Sequence, residues 1–499
     1  MTSGLLCSIK HKNKLYKKYI KTPTEANKTK YIIFRNKINT LLRKTKIKYF
    51  QEKFIHLKHD LKSTWKAINL LLNKNSKGGT SAEIFNCEGR KTNDPEEIAN
   101  AFNNHFADIG PSLARNISQS KSSYQKYLKD PNLNSLFFNP TTSAEIENIA
   151  LSFKNNKSPG LDEISPRVVK SVITHISNHL CYIFNLSLSE GIFQKLAKVI
   201  PVYKNGDKSE LGNYRPISIL SVFSKILEKI VHKRTMTFLE KYNIIHDSQY
   251  GFRPNFSTSL ALTDLSNKVT DVFEKNMFGI GVFLDLSKAF DTLNHNILLD
   301  KLNFYGIRGV ALDWFSSYLR GRSQRTKFQS TLSEPRDITC GVPQGSLLGP
   351  LLFIIYVNDI CKASDVLSFL MYADDTNIFL SNKQLHSLIN TVNHELNEIC
   401  TWFRANKLSL NTKKCNYIIF TKTKINNNYP VKLDNMPIEQ VLKTKFLGIY
   451  VDDKLSWKHH IHEVENKVAR SIGIITKMRS LFPDSVLRSL YCSLILPYF

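Results

Sequence analysis

The 499-residue chain predicts an α+β fold in which helices pack around an antiparallel sheet. Three observations carry that reading. From Ser248 to Phe420, helical periodicity alternates with short apolar strands. Within that span, Phe369-Leu370-Met371-Tyr372-Ala373-Asp374-Asp375-Thr376-Asn377-Ile378-Phe379 reads as two buried strands interrupted by adjacent carboxylates. Gly279-Ile280-Gly281-Val282-Phe283-Leu284 reads as a central strand that delivers Asp285 at its carboxyl end.

The amino-terminal elements come first. Residues 1 to about 75 read as basic amphipathic helix, followed by a polar, Gly-rich break from Asn73 to Thr80. Asp94-Pro95-Glu96-Glu97 starts a helix with an N-cap and a first-turn proline, and Thr142-Ser143-Ala144-Glu145 is a capping box. Ser118 to Pro140 between them reads as a loop. Helical periodicity resumes after Asp162 and runs to about Leu188. Ala197 to Lys204 then reads as a strand whose Pro201 predicts an edge position.

Composition narrows the partners. Sixty-nine Lys+Arg against 42 Asp+Glu give a net charge of +27, which points to a polyanion. The first fifty residues hold 14 Lys or Arg and one acid, Glu25, interleaved with Tyr16, Tyr19, Tyr31, Phe34 and Tyr49. Cations with aromatics suit a surface that tracks a backbone and stacks bases. The eight cysteines fall singly with no Cys-x-x-Cys pair, as expected of reduced thiols in an intracellular protein. The longest apolar stretch, Leu347 to Val357, contains Gly349 and Pro350 and falls well short of the roughly 20 residues that span a bilayer. The expectation is a soluble protein without a membrane partner, in nucleus or cytoplasm.

Adjacent carboxylates among apolar residues repel each other and invite a divalent cation. A hairpin turn holding Asp374 and Asp375, next to a strand ending at Asp285, suits two Mg²⁺ ions, with Mn²⁺ able to substitute. Mg²⁺ takes one or two carboxylates plus substrate phosphates, and paired ions stabilise attacking and leaving oxygens in phosphoryl transfer. The chemistry predicted is nucleotidyl transfer. Tyr450-Val451-Asp452-Asp453 also ends an apolar run in two acids, but the polar Lys454 to His460 follows where a second strand should be, which rejects it as the metal site.

Eight blocks occur in one order: KSPGLDEISP, IPVYKNGDKSELGNYRPISIL, QYGFRPNFST, FLDLSKAFDTLNH, GVPQGSLLGPLLFIIYVNDI, FLMYADDTNIF, LSLNTKKC and FLGIYVDD. Over roughly residues 155 to 455 the chain thereby resembles the reverse transcriptases of non-LTR retrotransposons, particularly jockey-like elements. The resemblance implies a right-hand polymerase with a ferredoxin-like antiparallel palm, α/β fingers and a helical thumb that is incomplete in this chain. It divides the chain into a basic linker-like region (1–92), a helical extension leading into the fingers (93–180), the reverse transcriptase domain (181–453) and the start of the thumb (454–499).

It also implies roles. Asp285, Asp374 and Asp375 are the metal-binding catalytic carboxylates. Lys204 and Arg215 reach the incoming triphosphate, where a guanidinium clamps phosphate oxygens and an ammonium adds a point charge. Gln344 and Gly345 belong to the nucleotide- and template-contacting loop. Phe290 crowds the sugar 2′ carbon and favours dNTPs over ribonucleotides. Lys413 or Lys414 matches a lysine that could protonate pyrophosphate, and the sequence leaves the choice open. The implied partners are an RNA template, a DNA primer, the RNA–DNA hybrid and dNTPs. With only the basic region ahead of the polymerase blocks, no nicking activity is assigned. The alternative is a catalytically silent, nucleic-acid-binding relic of a retrotransposon.

Overall fold

The computed structural model describes residues 2–56, 61–71, 84–87, 89–118, 120, 122–193, 196–423, 429–479 and 482–499. The predicted break at 73–80 lies outside the described residues. The chain divides into two compact units, residues 81–456 and residues 1–80 with 457–499.

The smaller unit is helical, with Ser3–Lys21, Glu25–His56 and Leu61–Leu71 from the amino-terminal segment and Lys458–Met478 and Asp484–Leu494 from the carboxyl-terminal one. Apolar residues at helical spacing explain its core. Phe50 and Phe54, one turn apart, join Ala67, Ile68, Met478, Phe482, Val486 and Leu490. The Phe54 and Phe482 rings meet edge to face at 4.7 Å. Some of the aromatics among the basic residues pack on one another, since Tyr31 lies 5.1 Å from Tyr16 and 6.3 Å from Tyr19.

The larger unit holds two five-stranded sheets. In the first, the order is Glu439–Gln440, Asn416–Phe420, Phe278–Leu284, Asp375–Asn382 and Ser368–Tyr372. The strand ending before Asp285 is therefore central, antiparallel to its neighbours on both sides. Period-2 alternation puts Ile280, Val282 and Leu284 in the main hydrophobic core. Phe283, on the opposite face, joins Phe379, Ile418 and Phe420 beneath the Thr258–Glu274 helix, which contributes Ala261, Leu265 and Val269.

The second sheet runs Tyr214–Ile219, Leu196–Tyr203, Arg322–Phe328 and Thr331–Leu332, with Arg336–Ile338 also on the Arg322–Phe328 strand. Here the edge expectation for Pro201 needs correction. Leu196–Tyr203 is interior at Lys198 and Val199, which pair on both sides. From Ile200 onward it has a single neighbour, and there Pro201 faces Pro216. The missing N–H is tolerated because the parallel pairing stops at Val199 and Thr326, two residues before Pro201.

The predicted caps form with one change. Asp94 accepts from the Glu97 N–H at 2.9 Å and Thr142 from the Glu145 N–H at 3.2 Å. The Glu145 side chain does not return to its cap as a capping box would have it. It accepts from the Thr141 hydroxyl at 2.8 Å and pairs with Arg234 at 3.0 Å, a stronger charge-assisted contact. Among the described residues no helix is long and apolar enough to cross a membrane.

Candidate active site

The site begins with a turn. Tyr372 and Asp375 are register partners, so Ala373 and Asp374 form a two-residue hairpin turn. Ala373 has φ +58°, a left-handed conformation that a residue with a Cβ adopts at a penalty of about 1 kcal/mol or more. A buried side chain holds it there. Gln249 Oε1 accepts from the Ala373 N–H at 3.1 Å and from the Gly251 N–H at 2.8 Å. The segment around it is laced to the hairpin, with the Tyr250 N–H donating to the Met371 carbonyl and the Met371 N–H to Ser248, both at 2.8 Å. Gly251 is required by close approach, because a Cβ there would lie 2.3 Å from the Ala373 nitrogen.

Asp285 leaves the central strand beside this turn and is anchored by the LSLNTKKC segment. The Asn411 N–H donates to the Asp285 carbonyl at 2.8 Å, and the Ser287 N–H donates to Ser409 at 2.9 Å. Asp285, Asp374 and Asp375 line one cleft of about 720 Å³, together with Lys204, Arg215, Phe290, Gln344 and Gly345. Every site residue that the sequence motifs assign thus lies on one surface. Of the two lysines left open, Lys414 lines the cleft, with Nζ 3.6 Å from Asp285 Oδ2. A larger hollow of about 810 Å³ near the Ser143–Ser152 helix carries a single acid, Glu145, already engaged by Arg234.

Electrostatics mark the floor of this cleft. The Asp374 and Asp375 side chains are solvent-accessible, yet the surrounding protein partly desolvates them. That desolvation raises the Asp374 pKa, the Asp285 charge adds to it, and Arg215 and Lys204 pull the other way. Desolvation pushes Asp375 up to about 6, with repulsion from Asp374 and Asp285 adding to the rise. Among the described residues no group of three His, Cys, Asp or Glu side chains closes into a metal cage. The donor chemistry nonetheless fits Mg²⁺, which takes one or two carboxylates and completes its octahedron with substrate oxygens. Mutual repulsion among the three aspartates is the charge excess such an ion relieves.

The opposing wall is cationic. Arg215 lies on the Tyr214–Ile219 strand, facing Val202, and Lys204 follows the end of its partner strand Leu196–Tyr203. Lys288, which no sequence motif assigned to the site, also lines the cleft. Burial lowers its pKa, Asp291 opposes that, and Lys204, Arg215 and Lys414 lower it further. The only sequence signal for it is a lysine three residues beyond Asp285. Gln249 opens the QYGFRPNFST block, but nothing in that block signals its contact with Ala373, 124 positions away. Tyr450 to Asp453 lies apart from the cleft lining, in a hairpin of Lys443–Phe446 with Ile449–Asp452.

A sheet that sets a two-carboxylate turn beside a third carboxylate, under a cationic wall, defines a template-directed polymerase domain. The chain belongs to the reverse transcriptase family: the family model described as Reverse transcriptase (RNA-dependent DNA polymerase) matches residues 202–451. The chain is similar to the RNA-directed DNA polymerase from mobile element jockey of Drosophila melanogaster, 28% identical over 373 residues, covering 72% of this chain and 40% of that protein. Its Drosophila funebris counterpart is 23% identical over 499 residues, covering 97% and 54%. A Drosophila melanogaster protein named "Probable RNA-directed DNA polymerase from transposon BS" is 27% identical over 445 residues, covering 85% and 48%. The chain spans about half the length of the curated relatives it matches.

Proposed function

We propose that this chain catalyses RNA-templated DNA synthesis, joining a dNTP to a primer 3′-hydroxyl with release of pyrophosphate, as part of a retrotransposon-derived protein. The observation that carries the reading is the convergence of Asp285, Asp374 and Asp375 with Lys204, Arg215, Phe290 and Gln344 on one cleft. Asp285, Asp374 and Asp375 would hold two Mg²⁺ ions, or Mn²⁺ in their place. When bound, the ions supply charge neutralisation for the attacking and leaving oxygens.

The chain's own residues do the rest. Lys204, Arg215 and Lys288 bind the triphosphate oxygens and orient the α-phosphate toward the aspartates. Lys414, beside Asp285 in the cleft, would donate the proton to departing pyrophosphate. Phe290 packs at 4.8 Å on Phe353, which stiffens the wall that a 2′-hydroxyl would meet and so favours dNTPs. In this reading the sheet centred on Phe278–Leu284 is the palm, the strands between Leu196 and Ile219 belong to the fingers, and the helices after residue 457 begin a thumb. The basic amino-terminal helices add attraction for the template and the RNA–DNA hybrid.

The test is extension of a DNA primer on an RNA template with dNTPs and Mg²⁺. Extension by wild type that Asp374→Asn abolishes supports the reading. RNA binding with steep salt dependence and no extension identifies a silent nucleic-acid-binding relic instead.

A further inference from the structure

Glu228, on the Val222–Lys241 helix, is a fully buried acid that the cleft chemistry leaves unused. Both of its oxygens are taken. Oε1 accepts from the Tyr318 hydroxyl at 2.9 Å, and Oε2 from the Leu347 N–H at 2.8 Å. Leu347 stands at the start of the Leu348–Val357 helix, where a leucine side chain offers no cap. The donors of that helix end therefore bond elsewhere, the Gly349 N–H to Ser346 Oγ at 2.9 Å and the Leu347 N–H to a carboxylate 119 positions away. A negative charge there also complements the positive pole of the helix.

The groups facing Glu228 are Tyr318, on the Val310–Leu319 helix, Arg322, whose guanidinium lies 5.5 Å from the Tyr318 ring, and Lys225, one turn back on its own helix. Burial pushes the Glu228 carboxyl up to about 7, against the pull of Leu347, Tyr318, Arg322 and Lys225. Both protonation states are thus populated near neutral pH. The Leu347 N–H cannot reverse its bond, whereas the Tyr318 hydroxyl can, so a proton settles on Oε1. The bond to Leu347 then loses its charge assistance, and the helix end loses its counter-charge.

What Glu228 holds is a wall of the cleft. Pro343, Gln344 and Gly345 line the cleft just before Leu347, and Pro350 just after it. The start of this stretch is anchored separately, by the Ser218 N–H on the Gln344 carbonyl at 2.7 Å and by the Gln344 side chain, which donates to Asp291 at 2.8 Å. Leu347 is the anchor beyond Gly345. We propose that Glu228 is a positioning residue: ionised, it holds the wall from Pro343 to Pro350 in the shape that receives a nucleotide, and protonated, it loosens that wall. The proposal rests on the polymerase reading above.

The experiment measures KM for dTTP and kcat of primer extension from pH 6 to 8.5 for wild type and Glu228→Gln. The amide keeps the volume and an acceptor for the Leu347 N–H but carries no charge at any pH. At pH 8 the KM of Glu228→Gln should lie about fivefold above that of wild type, and near pH 6 the two should meet. The pH dependence of kcat should be the same in both. The titrations of Asp291, Asp374 and Asp375 are common to both proteins, so the difference between the KM curves isolates Glu228. Tyr318→Phe, which removes a hydrogen bond to the ionised form, should move the wild-type inflection to higher pH. Coincident KM curves for wild type and Glu228→Gln overturn the inference, as does a gap that persists unchanged at pH 6. Should Glu228→Gln not fold, an unmoved inflection in Tyr318→Phe overturns it alone.

Hydrogen exchange of residues 341–357, followed by mass spectrometry at pH 8, separates this inference from the polymerase reading. Faster exchange in Glu228→Gln than in wild type, without extension by either, supports the hold on the wall and sinks the polymerase reading. Extension by wild type, with equal exchange and equal KM in Glu228→Gln, sinks the hold alone. Equal exchange without extension overturns both.

Discussion

Two hairpins in this molecule place an Asp-Asp pair two residues after a tyrosine, and they handle the charge in opposite ways. At Tyr450-Val451-Asp452-Asp453 the protein satisfies its own acid. Asp452 is 4% exposed, and its oxygens accept from the Ser456 N–H at 2.8 Å, the Lys454 N–H at 3.2 Å and the Ser456 hydroxyl at 3.2 Å. At Tyr372-Ala373-Asp374-Asp375 no other residue among those described donates to either carboxylate, both are solvent-accessible, and both pKa values are raised. A carboxylate that its own chain saturates is structural. A pair left to repel on a strained, buttressed turn is available to a ligand.

The largest expected effect breaks this comparison on one side only. Asp374→Asn should lower primer extension by about a thousandfold, the scale of removing one essential electrostatic group. Thermal unfolding should stay at or slightly above the wild-type midpoint, because a repulsion is removed. A clear drop in the midpoint would show that Asp374 is structural after all.

Next comes the buttress. Gln249→Met removes the acceptor for two backbone N–H groups, an unsatisfied burial of about 1–3 kcal/mol. Loss of geometry at the Ala373–Asp374 turn should reduce kcat about tenfold and raise the Mg²⁺ concentration needed. Gln249→Glu keeps the acceptor and should restore much of the activity, since Gln249 Nε2 has no partner among the described residues. Equal defects in both variants would assign Gln249 to packing instead.

A smaller effect is read in pH. Asp375 is raised to about 6 in the fold, above the ordinary carboxylate value of about 4. The folded state therefore binds this proton more tightly than the unfolded chain does. Its contribution falls away as pH rises from about 4 through about 6 and stays lost above. Asp375→Asn should flatten that part of the thermal-stability profile. Because a cation competes with the same proton, Mn²⁺ affinity measured by titration should weaken below pH 6, by up to about tenfold per pH unit. A flat Mn²⁺ profile from pH 5 to 7 would contradict this.

Asp452→Ala should have the smallest effect on extension and a larger one on stability, lowering the unfolding free energy by about 1–3 kcal/mol as the Ser456 and Lys454 donors lose their acceptor. Chemical denaturation checks the size. A loss of extension matching Asp374→Asn would erase the distinction between the hairpins.

What is legible in the sequence is what local pattern encodes. Acids inside apolar strands stand out by period alone, so Asp285, Asp374 and Asp375 can be named together from the order of residues, and the Tyr450–Asp453 imitation set aside by the polar run after it. Caps at Asp94 and Thr142 follow from short-range chemistry. Residues that act across the fold carry no such mark. Gln249 opens a motif block, yet its role lies in a backbone N–H far along the chain that no local pattern reveals. Asp291 reads as the end of a turn until Gln344 is brought against it. Pro201 misleads because it predicts an edge for a whole strand, in which Lys198 and Val199 pair on both sides. Glu145 goes to Arg234 because a distant guanidinium is a stronger partner than a local N–H.

The most direct measurement is primer extension on an RNA template by wild type, Asp374→Asn and Asp452→Asn under identical Mg²⁺ and dNTP. The account predicts extension by wild type and by Asp452→Asn, and none by Asp374→Asn. Extension by Asp374→Asn at the wild-type rate, or its loss only in Asp452→Asn, would contradict it.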